Sequence, residues 1–308
     1  MNGFAPAPTE MALVLRPFQK ADAPVVARLV TEGVRGHWTY TPEQFRESAD
    51  PRRLRLVAER GGEVVATLHL GPFGPATPDA LRLDLAGDGT VFSALYLAAL
   101  SQLPGRFTRL LGVTREDWPE KMGFFHAAGF RNAWQSWGAH LDLSGFDFGR
   151  VRPLEERLYL QGYEVERLSP DATEADWDAL HALYEVGVRD APRNPTTTPD
   201  PLTRTELRDM VQREEVTFVA RHRGGIVACT RLTPRGHEVE SEQTVTHPAH
   251  RSRGLATLVK ASALAWARGA GYTHAGTGGT VLNLPMLRVN TRLGYVAEAM
   301  WVTWEKGL

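Results

Sequence analysis

Cysteine, lysine and long apolar runs are scarce in this 308-residue chain. Its single cysteine, Cys229, excludes a disulfide framework and a cysteine-based metal cluster, and its apolar neighbours predict a core residue. No apolar run approaches the ~18 residues that a membrane-spanning helix needs. The first ten residues also lack the basic and apolar regions of a secretory signal. We therefore expect a cytoplasmic protein with no membrane partner.

The charge balance and several missing motifs exclude further classes. The net charge is -1 and only four of the 35 basic residues are lysine, so no overall field favours nucleic acid. Walker A, G-x-S-x-G and H-E-x-x-H motifs are absent, which leaves nucleoside triphosphatase, α/β-hydrolase and zincin activities without support. His247 and His250 are separated by a proline and lack an evident third ligand, so we expect no metal.

The second half of the chain repeats the first. The run 56–67 parallels 218–230, each reading as two strands joined by a glycine turn. The run 125–130 likewise parallels 290–295, and both lead into tryptophan-rich strands. An offset of about 160 residues is too long for a solenoid repeat and indicates a duplicated domain.

The repeat predicts three regions: a domain over 1–149, a connecting helix and linker over 150–162, and a domain over 163–308. Within each half the order is strand, helix, hairpin, strand, helix, strand, helix, strands. This order predicts an α/β (α+β) fold in which helices flank a mixed, mostly antiparallel sheet.

The most informative stretch is 245–260, which reads VTHPAHRSRGLATLVK. A β-branched strand ends in it, a basic turn follows, and a long apolar helix begins at Leu255. The free N–H groups and dipole of a helix N-terminus suit an anion, Gly254 allows close backbone approach, and Arg251 and Arg253 supply donors for phosphate oxygens. The turn therefore predicts a diphosphate site, although basic residues beside a glycine also occur in ordinary exposed turns.

The spacing Arg251-x-x-Gly254-x-Ala256, followed by the segment from Asn283 to Leu293-Gly-Tyr295, resembles the acetyl-CoA site of GNAT-family N-acetyltransferases. The doubled layout is similar to tandem GNAT proteins such as mycothiol synthases. The resemblance implies two tandem GNAT-like domains and acetyl-CoA as co-substrate. It implies cofactor contacts from Val245, Thr246, His250, Arg251, Ser252, Arg253, Gly254, Leu255, Ala256, Thr257 and Asn283.

The two halves differ where the cofactor would bind. The first half's counterpart of the basic turn lacks arginine and carries Asp88, which would repel a diphosphate. Trp118 and Phe125 stand where the second half has Asn283 and Asn290. We therefore predict that the first domain is degenerate and binds acetyl-CoA poorly or not at all.

The catalytic groups follow from the same resemblance. Glu240 is the first candidate for the general base and Glu242 the second, although alternating glutamates on a strand can equally be a solvated face. Asn290 occupies the position where many family members have a tyrosine acid. An amide can donate a hydrogen bond to the departing sulfur but cannot supply a proton, which leaves water or Tyr295 as candidates. We expect Tyr295 itself to be a core aromatic residue equivalent to Phe130.

These inferences predict an N-acetyltransferase whose second domain acetylates a small amine. Asp190, in the loop that caps the acceptor pocket in the family, is a candidate for amine binding or a solvated acid. Asn283 can contact the cofactor or simply cap the next helix. The alternative function is a catalytically silent acyl-CoA-binding or sensing module. We expect a monomer or homodimer.

Overall fold

The computed structural model describes residues 12–74, 77–103, 107–192, 201–213 and 215–308. The first half folds in the predicted order of strand, helix, hairpin, strand, helix, strand, helix and strand. Its elements are β1 (Leu13–Pro17), α1 (Ala23–Gly33), β2 (Leu54–Arg60), β3 (Glu63–Pro72), β4 (Ala80–Gly87), α2 (Phe92–Leu100), β5 (Arg109–Arg115), α3 (Pro119–Ala127) and β6 (Arg131–Asp142).

The second half repeats this order and adds the helices α4 and α6. Its elements are α4 (Arg152–Leu160), β7 (Tyr163–Arg167), α5 (Glu174–Asp190), α6 (Arg204–Arg213), β8 (Val216–His222), β9 (Gly225–Arg235), β10 (Glu238–Thr246), α7 (Leu255–Gly269), β11 (His274–Thr280), α8 (Leu284–Leu293), β12 (Val296–Ala297) and β13 (Trp301–Gly307). In the described ranges, no helix has both the length and the apolar character to cross a bilayer.

The chain forms two compact units. The first unit comprises Met1–Trp134 with Trp301–Leu308, and the second comprises Gln135–Met300. These units differ from the predicted domains, which follow the sequence repeat, because β6 pairs with β11 of the second unit and the last strand, β13, pairs with β5 of the first. A repeat in sequence carries no information about which sheet a terminal strand joins.

The first unit is a mixed sheet with the strand order β1-β2-β3-β4-β5-β13. Only the β4–β5 pair is parallel among its described ladders, as the helical connection through α2 requires. Alternating side chains point to opposite faces, so Leu56 and Leu68 pack with Phe92 of α2. Val57 packs with Val26 of α1 on the other face.

The second unit has the strand order β6-β11-β10-β9-β8-β7, with β12 added beside β6. Among the described ladders only β10 and β11 are parallel, and they are joined through α7. Leu258 and Leu264 of α7 pack against one face of the sheet. Trp177 and Leu180 of α5 belong to a second core that includes Cys229 and Val245. The prediction that Cys229 is a core residue is confirmed.

Local signals in the sequence place the ends of these helices. Thr173 and Asp176 form a reciprocal capping box at the start of α5. Gly162 ends α4 with a φ of +82°, a conformation that favours glycine. Tyr295 and its counterpart Phe130 are each 5% exposed, so the expectation that Tyr295 is a core aromatic residue is confirmed.

Candidate active site in the second unit

Two parallel strands of the second unit separate partway along their length. Strands β10 and β11 pair from Glu238 opposite His274 to Ser241 opposite Thr277, and the described residues that follow do not pair with each other. The ladder between β10 and β9 also changes register between Ser241 and Thr244, which marks a β-bulge. Beyond Ser241, this side of β10 has no paired strand among the described residues, and we call this interval the gap between β10 and β11. Such a gap suits an extended ligand that hydrogen-bonds to the backbone.

The basic turn follows the end of β10 and opens α7 as predicted. Pro248–His250 form one turn of 3-10 helix, Ser252 has a φ of +61°, and Gly254 has a φ of +101°. No side chain caps α7 within the described chain. The backbone N–H groups of residues 252–257 likewise donate to no acceptor in the described part of the protein. These N–H groups form an N-terminus of the kind that binds phosphate.

Gly254 is required for the shape of this turn. Its φ of +101° lies in the region that costs an L-residue about 1–2 kcal/mol. A Cβ atom at this position would also lie 2.7 Å from Cδ1 of Leu154 in α4. A side chain here would therefore both strain the turn and press against α4.

Arg251 is held in place by two contacts. Its Nε donates to the Thr246 carbonyl oxygen at 3.0 Å, and its Nη2 donates to the Asp190 carboxylate at 2.6 Å. The hydrogen bond from Arg251, with a further one from Arg189, lowers the pKa of Asp190. Asp190 is a candidate for amine binding or a solvated acid, and in this structure its carboxylate contacts Arg251, the residue expected to hold phosphate. Its role towards an acceptor stays a prediction.

His250 lies in the turn but is engaged with β7. Its Nδ1 is 2.8 Å from the Tyr163 hydroxyl, and the rings of Tyr163 and His222 are 4.5 Å apart. Burial lowers the pKa of His250, and the neighbouring His222 and His247 act in the same direction. Among the described residues, no group of three or more His, Cys, Asp or Glu side chains is arranged to hold a metal ion.

The three glutamates of β10 differ in environment. Glu238 and Glu242 are exposed, whereas Glu240 is half-buried and its carboxylate lies where a Cβ on Gly276 would be. Burial, followed by the charge of Glu242, raises the pKa of Glu240 to about 7. A carboxylate of this kind can exchange a proton near neutral pH, which a general base requires.

Gly187, a residue without a predicted role, brings α5 close to the bulged strand. A Cβ at this position would lie 2.5 Å from Cγ2 of Val245 and 2.7 Å from Nε2 of Gln243. The Gln243 amide in turn donates to the Tyr184 carbonyl oxygen at 3.5 Å. A glycine inside an otherwise helical pattern is the signal that could have identified this contact.

The asparagines of α8 have different environments. Asn283 precedes the helix, and its side-chain oxygen accepts from the Met286 N–H at 3.4 Å, so the capping interpretation is confirmed. Asn290 is 1% exposed, and its Oδ1 accepts no hydrogen bond within the described chain. Contacts of either residue with a cofactor or leaving sulfur stay predictions.

A second residue without a predicted role, Lys260, is buried at the junction of α7 and β10. Its side chain is among the largest fully buried ones, and its Nζ donates to Ser241 Oγ at 2.7 Å. The Nζ also lies 5.4 Å from the centre of the Tyr295 ring. A lysine within an otherwise apolar helix face is a visible signal in the sequence, because such residues are rarely buried without a partner.

The corresponding turn in the first unit is closed by its own side chains. The Asp88 carboxylate accepts from the Thr90 N–H at 2.9 Å and pairs with Arg60 at 2.9 Å. The ladder between β3 and β4 keeps one register from Ala66 opposite Gly87 to Pro72 opposite Leu81, without the bulge found in β10. In the described part of the first unit, the turn that corresponds to 251–254 is therefore capped by a side chain, and the ladder that corresponds to β9–β10 has no bulge.

Comparisons with known proteins show what the chain is similar to. Residues 177–295 match the Acetyltransferase (GNAT) family, so this part of the chain is similar to that family. A search of curated protein sequences finds no match.

Solved structures extend the similarity to nearly the whole chain. A GCN5-related N-acetyltransferase from Sphaerobacter thermophilus is 13% identical with a TM-score of 0.62, covering 96% of this chain and 95% of that one. A tandem GNAT protein from the clavulanic acid biosynthesis pathway is 19% identical with a TM-score of 0.59, covering 96% and 98%. At these identities the likeness concerns the fold, so the chain has a tandem GNAT fold. The fold and family support acyl transfer as the general activity.

Proposed function

We propose that the second unit transfers an acetyl group from acetyl-CoA to the amine of a small acceptor. The observation that carries this proposal is the open N-terminus of α7, whose N–H groups at residues 252–257 have no acceptor in the described chain and adjoin Arg251. The diphosphate of a coenzyme would accept hydrogen bonds from these N–H groups. The pantetheine arm would then follow the gap where β10 and β11 separate.

The remaining steps use groups along β10. Backbone N–H groups beside the bulge would polarise the thioester carbonyl, an oxyanion-type contact. Glu240 would accept the proton of the attacking amine, directly or through water, and the amine nitrogen would displace the sulfur of CoA. Holding the two reactants in this geometry supplies much of the acceleration, because it replaces a bimolecular encounter.

Calorimetric titration with acetyl-CoA tests the binding part of the proposal. We expect one site per chain, because the turn of the first unit is capped by Asp88. Arg251→Ala should weaken binding about tenfold or more, since it removes a charge-assisted hydrogen bond. Gly254→Asp should weaken binding at least as much. Arg213→Ala is the matched control, because this side chain is 79% exposed on α6.

Turnover separates the enzyme from the silent acyl-CoA-binding module. CoA release from acetyl-CoA is measured across a panel of amines with wild type and Glu240→Gln. If the second unit is an enzyme, CoA release should rise above background with at least one amine. Glu240→Gln should then lower the rate of CoA release strongly while changing acetyl-CoA binding little. Tight binding with no release above background for any amine would favour the silent module. Absence of acetyl-CoA binding would refute both.

A further inference from the structure

Lys260 is an unusual core residue. It is 2% exposed, and the described residues give it a single hydrogen bond, to Ser241 Oγ at 2.7 Å, with no carboxylate within ion-pair distance. Taking an ammonium group out of water is costly unless it is paired. Close by, the Tyr295 hydroxyl is buried beside Ser241 and makes no hydrogen bond of normal geometry. Polar groups this deeply buried and this poorly partnered indicate a site that another molecule completes.

This cluster lies at the closed end of the gap between β10 and β11. Ser241 is opposite Thr277 in the last pair of the two strands among the described residues, and the Thr277 hydroxyl donates to the Ser241 carbonyl oxygen at 3.1 Å. From Thr246, beside the basic turn, to Ser241 the strand spans about 17 Å. An extended pantetheine arm that starts at the turn covers a comparable distance. The sulfur of a bound thioester would therefore reach the level of Ser241.

We propose that Lys260 supplies, through the Ser241 hydroxyl, the proton that the departing CoA sulfur needs. This inference rests on the proposed function. It assigns a proton source to a chain that has Asn290 where many similar proteins have a tyrosine. Lys260 is a positioning and proton-supplying residue in this scheme, and Ser241 is the group that contacts the sulfur.

The proton transfers balance over one turnover. As the amine nitrogen forms its bond to the acetyl carbon, the carbon–sulfur bond breaks and its electron pair stays on sulfur. The Ser241 hydroxyl proton moves to sulfur, and a proton of the Lys260 ammonium moves to the Ser241 oxygen. Glu240 takes the proton that the amine loses. Solvent returns that proton to Lys260, so acetyl-CoA and amine become CoA thiol and acetamide.

The acid strength of Lys260 suits this role. Burial lowers its pKa to about 7, whereas an exposed lysine near 10.4 would be too weak an acid to protonate a thiolate of pKa about 8.5. Transfer from Lys260 to the thiolate is therefore downhill. Glu240 is the charged group whose field acts on Lys260, and it favours the ammonium form. Tyr295, with its ring 5.4 Å away, is the other titratable group of the cluster.

Lys260→Met tests the proposal, because methionine keeps the length and apolar packing of the side chain but carries no proton. We expect turnover to fall about 10- to 100-fold, with acetyl-CoA binding unchanged. Wild type should show a bell-shaped pH profile, with Glu240 giving the acidic limb and Lys260 the alkaline limb. The variant should lose the alkaline limb. A structural role alone would not remove one limb of the profile.

Ser241→Ala and the double variant test the relay. Removing either group interrupts the same proton path, so the double variant should be no slower than the slower single variant. Independent losses that multiply would overturn the relay. Thermal melting checks folding, and Lys260→Met should melt no lower than wild type, because it removes a buried ammonium group.

A measurement without acceptor covers the case in which a variant is inactive for another reason. The Lys260 ammonium is titrated by NMR in the CoA complex, and its signal is assigned by its absence in Lys260→Met. Burial should hold its pKa at about 7, below that of the thiol, so that it can give its proton to a thiolate. A Lys260 pKa of about 10.4 with unchanged turnover in Lys260→Met would overturn the role of Lys260 and leave the proposed function standing. Failure of wild type to bind acetyl-CoA would instead refute the proposed function and this inference with it.

Discussion

Substituting Glu240 should change the free energy of unfolding by an amount that depends on pH. This prediction can be tested without knowing the acceptor. Burial raises the folded-state pKa of Glu240 from 4.5 to about 7. The folded state thus holds this proton more tightly than the unfolded chain does. The resulting stabilisation is complete below about pH 4 and is lost as the pH rises through about 7. Above that, wild type carries the cost of a half-buried carboxylate.

Glu240→Gln removes this dependence because glutamine stays neutral. Each pKa unit corresponds to about 1.4 kcal/mol. Allowing for its partial exposure, we expect the variant to gain about 2 kcal/mol over wild type between about pH 5 and pH 8.5. Urea unfolding of both proteins at the two pH values measures this gain. Glu242→Gln is the control, since that side chain is exposed. A gain that is equal at both pH values, or equal in the control, would contradict the reasoning.

Three further substitutions test the geometry of the site. Gly254→Ala should lower the free energy of unfolding by about 1–2 kcal/mol and weaken acetyl-CoA binding. Gly269→Ala at the end of α7 is the control, because nothing lies within 4 Å of its added Cβ, and it should change neither stability nor binding. Gly187→Ala should force α5 away from β10, lowering the melting temperature and the rate of CoA release together. Asp190→Asn should tighten acetyl-CoA binding by about two- to fivefold in calorimetry, because it removes the negative charge of an exposed ion pair with Arg251. Weaker binding would instead show that Asp190 positions the arginine.

The sequence was sufficient for features that depend on local pattern. Period-two alternation and glycine turns predicted the two hairpins, and the β-branched run before an apolar helix predicted β10 and α7. The turn with Gly254 was predicted because a basic loop between strand and helix leaves the N–H groups of a helix available. Asp88 likewise predicted a turn in the first unit that would repel a diphosphate, whereas its cap on the Thr90 N–H is a finding of the structure.

Other features depend on contacts between residues far apart in sequence. The bulge after Ser241 shifts β10 against β9, and simple alternation of the glutamates contains no sign of it. The pairing of Asp190 with Arg251 joins the end of α5 to the basic turn across 61 positions. Lys260 has a role only because α7 lies against β10. Spacing within one segment cannot show any of these contacts.

The difference between the two copies is local, although both have the same order of elements. Every helix N-terminus has N–H groups that need acceptors, and either the chain or a ligand must provide them. In the first unit the chain itself provides an acceptor, because the Asp88 carboxylate accepts from the Thr90 N–H and is paired with Arg60. In the second unit residues 252–257 have no such acceptor in the described chain, and a left-handed Gly254 stands at the cap position. Donors without acceptors lower the stability of the free protein, and an anionic ligand at the turn would restore that stability. The second unit, whose turn leaves these donors without acceptors, is therefore the copy suited to bind a coenzyme.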